Sequence, residues 1–266
     1  MKEARGTTQK FVGLGYLRDF PIKIPHLSEQ QRIVAILDQA FEGITKARAN
    51  AQQNLQNARA LFESHLQSVF AQRGEGRLEI TLGEVCNFVG GSQPPKAVFT
   101  TKQSADTIRL IQIRDYKSDK NLIHIPRCLA KRFCKSEDVM IGRYGPPLFQ
   151  ILRGLEGAYN VALMKAVPNK SRLSNDYLFY FLKHPAILSY VIYHSERAAG
   201  QIGLTKDTLE PYPIFIPSVN EQYKIVESTI KLESETKRLE TLYQRKITCL
   251  DELKKSLLHQ AFAGEL

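Results

Sequence analysis

The chain of 266 residues has no Cys-x-x-Cys pair and no histidine cluster. Cys86, Cys128, Cys134 and Cys249 are scattered, as are His26, His65, His124, His184, His194 and His259. That spacing argues against a metal site and reads as reduced thiols in the cytosol. No apolar run is long enough to span a bilayer, and no signal-peptide h-region opens the sequence. The expectation is a cytoplasmic protein with no membrane partner. There is no Gly-x-x-x-x-Gly-Lys phosphate loop and no Asn-Pro-Pro-aromatic motif for adenine methylation; Gly145-Pro146-Pro147 is no substitute. An enzyme reading has little support, and no cofactor is expected on this chain.

What the chain does contain is a repeat. Phe20-Pro21-Ile22-Lys23-Ile24-Pro25 is followed by Glu29-Gln30 and Ile33-Val34. Tyr212-Pro213-Ile214-Phe215-Ile216-Pro217 is followed by Glu221-Gln222 and Ile225-Val226. Pro213 minus Pro21 gives an offset of 192, and the same offset takes Leu61, Ser64, Leu66, Phe70 and Ala71 to Leu253, Ser256, Leu258, Phe262 and Ala263. A strand-loop-helix unit repeated around a different segment predicts two similar helices flanking one inserted domain.

Each copy predicts a long helix. Ser28, three residues before Gln31, has capping-box spacing, and Asn220 followed by Glu221 is the expected cap of the second copy. From Ser28 to about Gln72 there is no proline, so about 45 residues at 1.5 Å each give a helix near 65 Å. The apolar spacing is that of a coiled coil. In the second helix the seam is Ile225, Leu232, Leu239, Tyr243, Leu250, Leu253 and Leu257, interrupted by Thr229, Thr236 and Lys246. In the first it is Ile33, Leu37, Ala40, Ile44, Ala47, Ala51, Asn54, Ala58 and Leu61. Small residues facing large ones would pack the helices closely.

Charge divides along the same lines. Residues 28–72 and 218–266 are each neutral, with 4 and 8 charges of either sign. Residues 73–217 carry 20 Lys and Arg against 13 Asp and Glu, a net +7. Residues 1–27 carry the remaining +3, so all the excess positive charge lies in the insert and the tail. Such an excess suits a polyanionic partner, because phosphate neutralisation releases counterions. A basic domain that is simply well solvated would show the same excess.

The insert changes pattern. Leu78–Leu82, Ile108–Ile113, Asp138–Gly142, Leu148–Leu152 and Tyr159–Val167 read as strands. Ser174 caps a helix through Tyr177, Phe179 and Leu182, and Pro185 restarts it. The fold class is α+β: a mixed α/β domain flanked by two long helices forming an antiparallel coiled coil. The boundaries are a tail at 1–27, a helix at 28–73, the mixed domain at 74–217 and a helix at 218–266. Loops after the strands carry chemistry suited to DNA. Gly90-Gly91 allows close backbone approach beside Ser92, Gln93 and Lys96. Gln112 and Arg114 follow one strand, Arg143 and Tyr144 another, and Gln201 and Lys206 lie in a further turn. Gln and Arg can make paired hydrogen bonds to adenine and guanine edges, while Lys and Ser hold phosphates. Arg143 is the foremost base-reading candidate; Lys117 and Lys131 read as solvated loop residues.

These phrases resemble the specificity subunit of Type I restriction-modification systems. Pro213-Ile214-Phe215-Ile216-Pro217 with Glu221-Gln222 resembles the start of that family's conserved helix. Ser256-Leu257-Leu258-His259-Gln260-Ala261-Phe262-Ala263-Gly264-Glu265-Leu266 resembles its C-terminus. Leu82-Gly83-Glu84-Val85 resembles the start of a target recognition domain, and Asp138-Val139-Met140-Ile141 with Arg143-Tyr144-Gly145 its middle. The resemblance implies domains that each read one half of a split DNA site, and helices that set their spacing. It implies methyltransferase subunits docked on the helices, methylating adenine with S-adenosylmethionine, and a separate translocase-nuclease subunit. S-adenosylmethionine, ATP and magnesium are then expected on the partner subunits only, and the specificity subunit performs no chemistry.

A full-length member has two recognition domains. This sequence resembles a half-length form with one complete domain, residues 1–20 looking like the tail of another. It is expected to pair with a second copy or with another specificity subunit. The competing reading is a coiled-coil protein or inhibitor that occupies methyltransferase subunits without reading DNA.

Overall fold

The computed structural model describes residues 14–19, 21–22, 24–71, 78–196 and 203–266. The chain forms two compact units, residues 1–57 with 239–266, and residues 58–238. A short helix α1 (Leu14–Arg18) precedes α2 (Leu27–Phe70), and α7 (Val219–Ala263) ends the chain. The boundary between the units crosses both long helices.

The repeat keeps its register in the fold, since Leu27 and Val219 are again 192 apart. Its anchor is the glutamine. Gln30 Nε2 donates to the Pro25 carbonyl at 2.8 Å, and Gln222 Nε2 donates to the Pro217 carbonyl at 3.1 Å. The expected caps are displaced. α2 starts one residue early, with the Glu29 and Gln30 N–H groups on the His26 carbonyl at 3.0 Å, so Ser28 lies inside the first turn. In the second copy Ser218 is the cap; its Oγ accepts from the Glu221 N–H at 3.3 Å, and Asn220 is already helical. The glutamine ties the entering segment to the first turn, while the first N–H groups are met by the His26 carbonyl in one copy and the Ser218 hydroxyl in the other.

The helices run antiparallel in the first unit and are in contact in the second. In the first, Lys254 lies over the Phe41 ring and Arg48 pairs with Asp251 at 2.9 Å, so partner numbers fall on one helix as they rise on the other. In the second, His65 meets Thr229 at 3.0 Å. The packed face departs from the strict seam. On α2 it passes through Ile44, Ala51, Leu55, Ala58 and Phe62, while the expected Asn54 and Leu61 are exposed. A helix of 3.6 residues per turn drifts away from a 3.5-residue repeat, so the contact line steps one residue onward after Ala51. On α7, Thr229 and Thr236 are buried rather than interruptions, their hydroxyls donating to the Ile225 and Leu232 carbonyls at 2.7 and 2.9 Å. Ile247 takes the place next to exposed Lys246.

Among the described residues the second unit contains three sheets. β1 (Leu78–Thr81) pairs antiparallel with β10 (Pro213–Ile216). A sheet of four has the order β2 (Cys86–Gly90), β9 (Leu163–Pro168), β6 (Val139–Gly142), β7 (Gln150–Leu152), all antiparallel. The other sheet of four has the order β4 (His124–Pro126), β3 (Thr107–Ile111), β8 (Gly157–Tyr159), β5 (Phe133–Cys134), with β3 and β8 parallel. Leu82–Val85 turns into a short helix, α3, and the expected strand Tyr159–Val167 breaks at residues 160–162 into β8 and β9. Residues 21–22 and 24–26 are not strand: β10 has β1 as its ladder partner, and no described strand lies beside the first copy.

Among the described residues three apolar clusters hold this unit, and the one that joins the long helices to α4 (Asn175–Leu182) is the most populous. α4 is capped by Ser174, whose Oγ accepts from the Tyr177 N–H at 3.2 Å, and Tyr177–Leu182 are all buried. α5 (Pro185–Glu196) follows. Phe70 at the end of α2 meets the Tyr177 and Phe181 rings edge-on at 5.2 and 5.6 Å. Buried Gln222 adds a polar lock: Nε2 also donates to the Arg172 carbonyl at 2.7 Å, and Oε1 accepts from the Ser174 N–H at 3.0 Å. Glu233 accepts from Tyr180 Oη at 2.8 Å and Lys183 Nζ at 2.9 Å. Burial acts to raise its carboxyl, but those donors outweigh burial and hold it at about 2. Cys86 is buried and pushed up to about 12 by burial, while Cys128 and Cys249 are exposed free thiols.

Candidate nucleic-acid interface

Several strand ends meet at one edge of the second unit. β3 and β8 are parallel, so Gln112 and Asn160 follow their C-terminal ends side by side, and the Asn160 N–H donates to the Ile111 carbonyl at 3.1 Å. Residues 160–162 lead into β9, whose Leu163 stands opposite Gly142 and whose Met164 stands opposite Gly90. Gly90-Gly91-Ser92 and Arg143 therefore leave their strands at this same edge. The Gly91 and Ser92 N–H groups donate to Leu163 and Tyr159 at 3.0 and 3.1 Å, and the Arg143 N–H to Ala162 at 2.9 Å.

Arg143 ties three loops together. Its Nε donates to the Leu204 carbonyl at 2.9 Å and Nη1 to the Val161 carbonyl at 3.3 Å; the Leu204 N–H returns a bond to the Arg143 carbonyl at 3.1 Å. Its guanidinium also lies 5.2 Å from the Tyr144 ring centre. Tyr144 packs on Gly203, where a Cβ would come 2.5 Å from the ring. The turn entering α6 (Lys206–Leu209) is thus held at the strand-end cluster. Two of the Arg143 nitrogens are engaged with the protein itself, which gives this residue a scaffolding part.

The remaining candidates differ in setting. Ser92 and Gln112 are half-buried at the edge; Gln93, Lys96, Arg114 and Lys206 are exposed. Arg114 stands in a short 3-10 turn (Ile113–Tyr116), 3.8 Å from buried Asp115, and Lys206 pairs with Glu210 at 3.7 Å. Burial raises the Asp115 carboxyl against the opposing pull of the Gln112 N–H and the Arg109 and Arg114 charges. Gln201 lies outside the described residues.

The glycine pair works differently from the expectation. A Cβ on Gly91 would sit 1.9 Å from the Asn160 carbonyl oxygen, so the close approach at that position is made by the chain's own backbone. Around Gly90 the nearest such contact is Arg143 Nη1 at 3.9 Å. Asn160 went unnoticed in the sequence; its Oδ1 accepts from the Ala162 N–H at 3.1 Å and turns the chain between β8 and β9. A polar residue interrupting the Tyr159–Val167 run was its signal. Lys131, set aside as a solvated loop residue, lines a groove with Arg132, Gly90, Gly91 and Ser92. Among the described residues no group of three or more His, Cys, Asp or Glu could hold a metal, and no helix is long and apolar enough to cross a membrane.

Comparison with known proteins agrees with this architecture. The fold is similar to a chain in a structure on complex assembly and conformational transition of the type I R-M system. The TM-score is 0.80, at 23% identity over 98% of this chain and 66% of that one. It is also similar to the HsdS subunit from Thermoanaerobacter tengcongensis, with TM-score 0.59 and 23% identity over 100% of this chain and 66% of that one. The Type-I restriction-modification system S subunit from M. genitalium gives TM-score 0.54 and 15% identity, covering 98% of this chain and 68% of its own. The chain thus spans about two thirds of the length of these proteins. No curated protein matches it. A family model for the Type I restriction modification DNA specificity domain matches residues 1–54 and 77–248. The chain belongs to the Type I restriction modification DNA specificity domain family.

Proposed function

We propose that this chain reads DNA sequence for a Type I restriction-modification complex, directing adenine methylation and restriction carried out by partner subunits. The observation that carries this reading is the convergence of Ser92, Gln112, Arg143 and the turn before Lys206 at one edge of the net-positive segment. In this reading Gln93, Gln112 and Arg114 face base edges, with the donors of Arg143 not bound to carbonyls beside them. Ser92, Lys96 and Lys206 hold phosphates, and Tyr144 completes the surface. The chain itself performs no chemistry; S-adenosylmethionine, ATP and magnesium belong to the methyltransferase and translocase-nuclease subunits. The neutral helices serve as spacer and methyltransferase dock, and the complex works in the cytoplasm.

Pairing with a second copy or another specificity subunit is supported by the first unit. Ile22, Ile24 and Val34 are exposed there, whereas their repeat counterparts Ile214, Ile216 and Val226 are buried. Phe262 is 84% exposed and its counterpart Phe70 only 4%. A contiguous apolar face of this kind marks an association surface. The test is methyl transfer to duplex DNA by the methyltransferase subunit with and without this chain, followed by mapping of the modified adenines. Methylation at one defined site only when the chain is present is the expected result. Chain-independent or sequence-indifferent methylation overturns the proposal.

A further inference from the structure

We infer that Lys131 and Arg132, with Ser92, form a holding site for two adjacent DNA phosphodiesters next to the base-reading residues; the inference rests on the DNA-reading function proposed above. Segment 127–135 contains Arg127, Lys131, Arg132 and Lys135 and no acidic residue. All four are exposed, and none is in an ion pair among the described residues. Four other cations of this unit are paired instead: Arg109 with Asp119, Arg153 with Asp176, Lys165 with Asp138, and Lys183 with Glu233, at 2.6–3.1 Å. Arg143 is engaged with carbonyls. Charge that the fold does not consume is what an incoming polyanion can neutralise.

Topology sorts the four free cations into two pairs. β5 runs antiparallel to β8, with Phe133 opposite Ala158 and Cys134 opposite Gly157. Arg132 therefore stands at the C-terminal end of β8, where its carbonyl accepts from the Tyr159 N–H at 3.1 Å. Lys135 stands at the other end. β4 runs antiparallel to β3, with Pro126 opposite Thr107, so Arg127 also lies at the far end. Only Lys131 and Arg132 share the edge that carries Ser92, Gln112 and Arg143, and they line one groove with Gly90, Gly91 and Ser92. The Gly91 and Ser92 N–H groups are bound to Leu163 and Tyr159, so the groove's donors are the Ser92 hydroxyl and the two cationic side chains. A hydroxyl beside two cations suits singly charged phosphodiesters, which accept charge-assisted hydrogen bonds and carry no sequence information. The site positions the duplex; its neighbours read it.

The division gives a measurable signature in the full chain. Binding to duplex DNA is followed across a series of potassium chloride concentrations for the unaltered chain, the Lys131→Gln/Arg132→Gln variant and the Arg127→Gln/Lys135→Gln variant. Both variants remove the same charge from exposed positions, and matching unfolding midpoints verify their folds. The Lys131/Arg132 variant is expected to lower the slope of log affinity against log salt by about 1.8, the counterions of two phosphates. Its affinity falls by the same factor on every sequence, and the Arg127/Lys135 variant changes the slope less than half as much. Equal slopes for the two variants show a general charge effect and overturn the site. A changed sequence preference in the Lys131/Arg132 variant shows base reading and also overturns it. If the unaltered chain binds no duplex at any salt, DNA reading itself fails, and the phosphate site with it.

Discussion

The repeated glutamine offers an experiment with a built-in control. Gln222 is fully buried and makes three hydrogen bonds, to the Pro217 and Arg172 carbonyls and from the Ser174 N–H. Gln30 occupies the same place in the first copy, and its described bond is one to the Pro25 carbonyl in an exposed setting. Replacing Gln222 with Ala strands the buried Pro217 carbonyl and the half-buried Arg172 carbonyl and Ser174 N–H, and leaves a small void. At about 1–3 kcal/mol for each unsatisfied group, with partial relaxation, the expected loss is about 3–5 kcal/mol. Gln30→Ala loses one solvent-competing bond and should cost about 0.5 kcal/mol or less. Urea unfolding of the two single variants, followed by circular dichroism and compared with the parent chain, measures both. Equal destabilisation, or a Gln222→Ala loss under about 1 kcal/mol, refutes the argument that burial turns this amide into a lock.

Further outcomes follow from the same structure. The Glu233 carboxyl, held at about 2 against an ordinary 4.5, contributes stability that is fully present above pH 4.5 and lost as pH falls through 2. The contribution is about 3 kcal/mol, so Glu233→Gln should destabilise by that order at pH 7 and by much less below pH 3 in acid-unfolding curves. Gly91→Ala forces a Cβ against the Asn160 backbone and should cost about 3 kcal/mol, while Gly90→Ala stays within about 1 kcal/mol in thermal unfolding. Leu239→Asp with Leu250→Asp puts charges on the packed face of α7 and should abolish co-purification with the methyltransferase subunit while salt-dependent DNA binding persists; retained assembly contradicts the docking role. Arg143→Ala frees the Leu204 turn and should weaken specific DNA binding by about 1–3 kcal/mol; unchanged affinity in a folded variant removes Arg143 from the site.

Local rules made part of this molecule legible in the sequence. The repeat located both long helices, and Ser174 and Pro185 marked α4 and α5, because capping and proline chemistry act within a few residues. Strand order lay beyond reach: nothing near Cys86–Gly90 tells that it pairs with Leu163–Pro168, since pairing is decided by contacts far away in the chain. The coiled-coil face was readable up to Ala51 and again at Ala58, while Asn54 and Leu61 gave way to Leu55 and Phe62 as helical phase accumulated. Within the candidate site, Ser92, Gln112 and Arg143 stood out as polar residues leaving strands. Asn160 left only the mark of a polar residue in an apolar run, and the edge position of Lys131 and Arg132 emerged from topology, because two parallel strands and one antiparallel neighbour bring them there.

The most direct test of the central claim is selection of bound sequences from random duplexes by the full chain with its methyltransferase subunit, repeated with Gln112→Ala. The account predicts a defined consensus for the parent chain and relaxed preference at a discrete position for the variant, because Gln112 sits at the converging strand ends and can pair with an adenine edge. No enrichment by the parent chain contradicts DNA reading. An identical consensus from a folded Gln112→Ala chain contradicts the assignment of reading to this residue.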